Sequence, residues 1–475
     1  MTKKTFYVTT PIYYPNANLH MGHAYTTTIC DILARYHKLA GDETYFLTGS
    51  DENTAKILKS DNVSDDVHNL LDVAAANFQK LYKDLHISYD QFIRTTDKKA
   101  HWPGAIKMWE SLVKAGDIYK AKYIGLYCVG CEAFYTEKDL IDGKCPIHLT
   151  VPEKIEEENY FFKLSKYTDK IKNKIESNEL NIIPETRKNE ILALLGRGLE
   201  DVSFSRPKSN VPHGIPVPGD PEQVIYVWCD ALVNYISALG YGGDEKLFKE
   251  FWPANAHVIG KDILRFHAAI WPAMLLSAGL PLPKNILVHG LITSGGKKMS
   301  KSLGNVINPL ELIKEYGGEA VRYYLAKEIS PFEDGDMTVE SFKASYNAGL
   351  ANGLGNLTSR ILKMAETNLD APIDVSENNF PEDFVGAIES FDVKRAADVV
   401  WKEISAMDLH IQETQPFKLV KTDKEAGKKI IKELVLRLYA VACMLEPILP
   451  EASSKIKELV KQNKSPEKPL FARKD

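Results

Sequence analysis

The 475-residue chain contains no apolar run approaching the ~20 residues that a membrane-spanning helix requires. Its first residues, MTKKTFYVTT, run straight into a strand-like segment without the apolar stretch and cleavage site of a secretory signal. Both absences make the cytoplasm the expected compartment and leave no membrane partner. Cysteine is scarce, six residues in all, and Cys128, Cys131 and Cys145 crowd into one short stretch. That spacing belongs to an intracellular metal site rather than to a disulfide framework. Neither sign of charge dominates, the formal net charge being −5. No DNA partner is expected on that balance, whereas a structured RNA stays open, because local basic faces decide such contacts. Internal repeats and low-complexity tracts are lacking as well.

What is present is an ordinary globular balance, 44% hydrophobic and 26% charged residues. The length exceeds what one hydrophobic core serves, so three or more domains are expected. TFYVTT (5–10) reads as a buried strand, and AYTTTICDILARYHKLAG (24–41) as a helix with Ile29, Ile32, Leu33 and Tyr36 at helical spacing. ETYFLTGSD (43–51) is a second strand, which makes a βαβ unit and hence a parallel sheet. From about Tyr119 short Gly- and Cys-containing segments read as an insertion between two halves of that sheet. The alternation resumes with VIYVWCDALVNYISALG, the strand–turn–helix AHVIGKDILRFHAAIWPAMLLSAG, and the strand NILVHGLIT. After SGGKKMSKSLGN, three long segments (345–369, 393–417 and 424–449) carry helical periodicity, as in a bundle. The polar tail KQNKSPEKPLFARKD is expected to lie across the surface.

Two short motifs carry chemistry. HMGH sits in the tight turn after the first strand, with His20 and His23 one turn apart around Gly22. A helix N-terminus offers free N–H groups and a positive dipole end, so it binds phosphate. Two imidazoles add donors, and a glycine makes room for a flat base. Alone, the motif also fits a pair of helix-surface histidines. GGKKMSKS sets Lys298 and Lys301 on a loop hinged by Gly295 and Gly296, which suits a triphosphate neutralised only transiently. Alone, it also fits a solvated basic loop. A third pattern, C-x2-C-x13-C-x2-H, offers Cys128, Cys131, Cys145 and His148 as two close pairs. Tetrahedral Zn²⁺ suits these donors, and four filled positions make the ion structural. A free-thiol cluster and an iron–sulfur site are the alternatives. Cys30, Cys229 and Cys443 lie in apolar runs and are expected to be buried.

HMGH and KMSKS together resemble the HIGH and KMSKS signatures of class I aminoacyl-tRNA synthetases. The run TTPIYYPNANLHMGHAYTTTICDILARY, then YCVGCEAFYTEKDL, YVWCDAL, HVIGKDILRFH, VHGLIT and KMSKSLGNV, resembles methionyl-tRNA synthetases over nearly the whole chain. The resemblance implies an α/β architecture: a Rossmann-like parallel-sheet catalytic domain (1–118 and 224–290) split by a zinc-containing insertion (119–223). A KMSKS loop and stem-contact region (291–345) and an all-α anticodon-binding bundle with its tail (346–475) would follow. The insertion is too short for the editing domain of the valine, leucine and isoleucine enzymes.

The resemblance further implies ATP, carried with Mg²⁺, on Asn16, His20, Gly22, His23, Gly260, Asp262 and Lys301. His20, His23, Lys298 and Lys301 would be catalytic. On sequence alone Asp262 serves equally as a helix N-cap. Methionine would sit among Ile12, Tyr14, Trp228, Ala231, Leu232, Tyr235, Ile263 and His267, with Asp51 on its ammonium. A soft thioether favours aromatic neighbours and an ammonium needs a carboxylate. For each aromatic taken singly, core packing is the competing use. The anticodon of tRNA(Met) would face Asn356, Arg360 and Phe417, and for Arg360 a solvated bundle face competes.

The chain departs from the family pattern in places. Asn53-Thr54 stands where His-Gly is usual, Phe417 where tryptophan is common, and His213 where tryptophan is usual. Many relatives carry a C-terminal β-barrel that dimerises; the sequence stops after its helical part, and a monomer is expected. The expected activity is ATP-dependent methionine–tRNA ligation. Its rivals are a class I synthetase for another amino acid, an adenylyl transferase that uses no tRNA, and a non-catalytic RNA-binding paralogue.

Overall fold

Phe6 and Val8 face one side of the first strand and Tyr7 the other, and each side meets its own hydrophobic core. The computed structural model describes residues 4–15, 19–54, 67–130, 133–135, 137, 140–146, 149–299, 305–375 and 380–475. Strand β1 (Thr5–Thr9) is followed by helix α1 (Met21–Leu39) and strands β2 (Glu43–Ser50) and β3 (Gln91–Arg94). They belong to a six-stranded, wholly parallel sheet ordered β3, β2, β1, Ala256–Gly260, Asn285–His289, Asn181–Ile183. Such a sheet is covered on both faces, which is why its strands bury consecutive residues and do not alternate between core and solvent. The order reverses between β1 and Ala256–Gly260, and ligands of open α/β sheets bind at the carboxyl ends there.

The segment between the halves builds its own antiparallel sheet, with Ile118–Cys128 paired along Glu153–Phe162 and flanked by Ala133–Tyr135 and Val202–Ser203. One piece of the 119–223 stretch does not stay in it. Asn181–Ile183 crosses back to become the outermost strand of the parallel sheet, followed by helix Glu185–Gly196. Three residues, paired with a strand a hundred positions later, leave no periodicity to detect.

NILVHGLIT, expected as one strand, is two, Asn285–His289 and Ile292–Ser294. At Gly290 a Cβ would lie 2.0 Å from the Glu333 carbonyl oxygen. That close approach breaks the strand, and Ile292 then pairs with Gly335. The helix expected over 393–417 ends at Thr414, because Gln415 turns left-handed (φ 42°) and a new helix, Pro416–Thr422, starts.

Among the described residues beyond 305, every regular element except Gly335–Asp336 is a helix. Its apolar faces merge with one face of the parallel sheet in a single core, from Phe6 and Ile29 to Leu434 and Ile456. Arg322 ties the two parts inside that core. Fully buried, it meets Asp31 of α1 at 2.6 Å and donates to the carbonyls of Leu85, Pro447 and Ile448. The tail is pinned where Asn347 exchanges two hydrogen bonds with Lys474. Cys30, Cys229 and Cys443 are buried. Among the described residues no helix is long and apolar enough to cross a membrane.

Candidate active site

A crevice of about 370 Å³ opens at the sheet's switch point. Its walls bring together Ile12, Tyr14, His20, Gly22, His23, Asp51, Trp228, Ala231, Leu232, Tyr235, Gly260, Asp262, Ile263 and His267. Those residues span 255 positions of sequence and come from the ends of β1, β2 and Ala256–Gly260, the start of α1, the short helices Val227–Leu232 and Asn234–Ser237, and the turns Lys261–Ile263 and Phe266–Ile270. Asn16 and Lys301 lie outside the described residues. Lys298 ends a short strand paired with Thr293, and only its backbone is described.

His20 is the N-cap of α1. Its Nδ1 accepts from the Gly22 N–H at 3.1 Å, and His23 Nδ1 accepts from the His20 N–H at 3.4 Å. A ring nitrogen that accepts carries no proton, so each neutral imidazole has its hydrogen on Nε2. The rings stack at 3.7 Å. A Cβ on Gly22 would lie 3.0 Å from the His20 ring, so the glycine first makes room for this cap. Tyr13 and Phe78 pack on His23, and burial, then His20, pushes its pKa well down. The pair therefore presents neutral donors, and the positive field at this end comes from the helix terminus itself.

On the far side Trp228 and Phe266 stack at 3.7 Å. His267 sits in a π-helical turn, Phe266–Ile270, a local widening that recurs at functional sites. Its Nδ1–H donates to the Ile263 carbonyl at 3.0 Å, so Nε2 accepts from the Tyr235 hydroxyl at 2.7 Å. Burial lowers the His267 pKa to about 4 and raises that of Tyr235, which keeps both uncharged. This end of the crevice is thus apolar and neutral, and buried Asp51 also lines the crevice. Gly260, not Asp262, holds the N-cap position of the short turn Lys261–Ile263.

Asn53 explains one departure from the family pattern. Its amide donates to Asp230 Oδ2 at 2.7 Å and to the Thr95 carbonyl at 3.0 Å. The other Asp230 oxygen meets His101 Nε2 at 2.6 Å, all three side chains being buried. Asp230 stands between Trp228 and Ala231 in sequence, on the helix that brings both to the crevice. His213 donates from Nε2 to the Glu52 carbonyl at 3.0 Å.

Sequence reasoning missed Thr26, Asn234, Phe266 and His289, which also line the crevice. His289 ends its strand in register with Gly260, with Nε2 2.7 Å from Thr26 Oγ1 and Nδ1 2.7 Å from the Gly290 carbonyl. The strand-end position of VHG was the available signal. For Thr26, on the helix beside His23, and Asn234 there was none.

Elsewhere, Cys128 and Cys145 are buried against each other with Tyr135 beside them, while Cys131 and His148 lie outside the described residues. Arg360 and Phe417 line one surface pocket of about 590 Å³, and exposed Asn356 precedes Arg360 by one turn on the same helix. Arg360 is held by Asp408, and Phe417 is 45% exposed.

A family described as tRNA synthetases class I (M) matches residues 6–150 and 137–362. The methionine–tRNA ligase of Clostridium acetobutylicum is 44% identical over 96% of this chain and 73% of that protein. The ligase of Thermotoga maritima is 39% identical over 98% and 76%. Among solved structures, the Mycobacterium tuberculosis methionyl-tRNA synthetase in complex with methionyl-adenylate superposes with a TM-score of 0.87 at 36% identity, covering 95% of this chain and 93% of that one. A parallel sheet, a crevice at its switch point and these matches lead to one conclusion: the chain belongs to the methionyl-tRNA synthetases of class I.

Proposed function

We propose that this crevice joins methionine to tRNA at the expense of ATP, in two steps. The methionine carboxylate attacks the α-phosphorus of ATP, forming the acyl–phosphate bond and releasing pyrophosphate. A ribose hydroxyl of the tRNA's terminal adenosine then attacks the acyl carbon, and AMP leaves. A carboxylate is nucleophilic without a general base, so the protein contributes positioning and charge stabilisation. The observation that carries the reading is the meeting of His20 and His23 with Gly260 and Asp262 across one crevice that ends in an aromatic, uncharged cup.

In this reading the Nε2–H groups of His20 and His23, with Lys298 and Lys301, stabilise charge on the transferring phosphates. Asn16, Gly22, Gly260 and Asp262 hold the nucleoside. Asp51 takes the methionine ammonium, and Ile12, Tyr14, Trp228, Ala231, Leu232, Tyr235, Ile263 and His267 surround its thioether. Mg²⁺ bound with the triphosphate offsets part of its charge. Cys128, Cys131, Cys145 and His148 hold a structural Zn²⁺. Burial of Cys128 against Cys145 fits that role, since the two close pairs of donors must meet. Asn356, Arg360 and Phe417 face the anticodon, where unstacked bases are read by aromatic and planar polar groups. The compartment that goes with this chemistry is the cytoplasm.

Amino-acid-dependent pyrophosphate–ATP exchange, run with a panel of amino acids, tests the reading. Exchange with methionine is the expected result. Exchange with another amino acid alone points to a different class I specificity, and no exchange with any points to a non-catalytic paralogue.

A further inference from the structure

Beside the crevice lies a second cleft, of about 710 Å³, that shares two wall residues with it, Asp262 and Leu291. Four cations line it: Arg187 and Arg197 from helix Glu185–Gly196 and its end, and Lys261 and Arg265 from the turn after Ala256–Gly260. Two of them are already neutralised. Arg187 pairs with Glu190 at 2.5 Å, and Lys261 meets both oxygens of Asp334, at 2.7 and 2.8 Å. Arg197, which is exposed, and Arg265, which is half-buried, have no carboxylate partner among the described residues. Two guanidiniums without a carboxylate partner therefore line a cavity that adjoins the crevice at Asp262 and Leu291.

We infer that this cleft guides the single-stranded 3′ end of the tRNA, with Arg197 and Arg265 on its phosphates. The inference rests on the function proposed above, because only that function requires a nucleotide strand to reach the adenylate. Arginine matches phosphate geometry with a fork of donors, and phosphate contacts fix the register of a strand without reading its sequence. The wall also carries Ile191, Leu194 and Leu264, apolar surface that suits unstacked bases, and its Glu190 is taken up by Arg187. A cavity of this size admits a few single-stranded nucleotides and not a duplex. The shared Asp262 places the cleft's inner end at the ribose side of the crevice, away from the aromatic cup. A terminal adenosine entering there approaches the acyl carbon without displacing methionine.

The test separates the two steps in the full chain. Arg197→Gln/Arg265→Gln should leave methionine-dependent pyrophosphate–ATP exchange unchanged while kcat/KM for tRNA in charging falls roughly tenfold or more. The slope of its logarithm against log salt should shrink by about 1.4, as expected for two lost contacts to a single strand. Binding of a tRNA trimmed of its unpaired 3′ nucleotides should be the same for both proteins. Arg197→Glu, a change at an exposed site, repeats the measurement without disturbing any packing. Charging that is unchanged by both variants overturns the inference. Equal weakening for trimmed and intact tRNA also overturns it, because the arginines would then hold the body of the RNA. So does altered inhibition by inorganic pyrophosphate with tRNA kinetics intact, which marks a free-anion site. Absence of exchange in the unmodified protein sinks the proposed function instead.

Discussion

Thr26 Oγ1 lies 2.7 Å from His289 Nε2 and 3.0 Å from the Gly22 carbonyl oxygen, and it has one proton to give. His289 Nδ1–H donates to the Gly290 carbonyl. If Thr26 donates to Gly22, Nε2 must carry a proton and the ring is an imidazolium. Burial lowers the His289 pKa, so near pH 7 Thr26 donates to the ring and His289 is neutral. Thr26→Val should then leave a buried acceptor without its donor and cost about 1–3 kcal/mol in urea unfolding, with Thr26→Ser restoring most of it. A valine variant as stable as the parent would contradict this accounting.

The two imidazoles at the start of α1 should act on the transition state more than on the bound nucleotide. His23→Ala is expected to lower the single-turnover rate of methionine activation by about a hundredfold, with the apparent affinity for ATP changed about threefold or less. A drop confined to ATP affinity would instead make His23 a ground-state contact.

Stability should fall on mild acidification. Burial holds the pKa values of His23, His257, His267 and His289 below the ordinary histidine value. The unfolded chain therefore takes up their protons first, and each group costs up to about 1.4 kcal/mol per pH unit below pH ~6.5. For His267 the loss runs down to about 4. Glu319 works in the opposite sense: burial raises its pKa to about 7, so the native carboxyl keeps a proton that the unfolded one has lost, and its contribution grows as pH falls from 7. Four buried imidazoles outweigh it. Urea midpoints measured from pH 7 to pH 5 should decline, and a rising midpoint would refute the balance.

The Asn53 amide should matter to the buried network that holds Asp230, on the helix carrying Trp228 and Ala231. Asn53→Ala removes a donor from the buried Asp230 carboxylate and should cost about 2 kcal/mol. Thermal unfolding measures this directly, and an unchanged midpoint would show that water replaces the amide.

Much of this was legible from spacing alone. β1, α1 and β2 announce themselves because a parallel sheet demands apolar runs and its crossover helix demands a 3.6-residue stripe. Spacing singled out His20, Gly22 and His23, whereas most other residues of the crevice were reached through the family resemblance carried by motifs such as YVWCDAL and HVIGKDILRFH. What escaped was set by distant pairing. Asn181–Ile183 is defined by its sheet partner and not by its own pattern. The break at Gly290 is imposed by the Glu333 backbone. Thr26 acquires its role only when His289 arrives from 263 positions away. The histidine cap was half legible: its spacing pointed to phosphate, while the tautomers followed only from the hydrogen bonds of the two Nδ1 atoms.

Arg322 has a last implication, for how such a molecule can be rebuilt. With one guanidinium serving a catalytic-side carboxylate and two carbonyls of the helical side, no seam separates the halves. Cutting there would strand a cation in oil and bare an apolar wall on both fragments, so the helical half is not a cassette that can be traded between enzymes. New preferences for what it touches have to be written on its outer face, one side chain at a time.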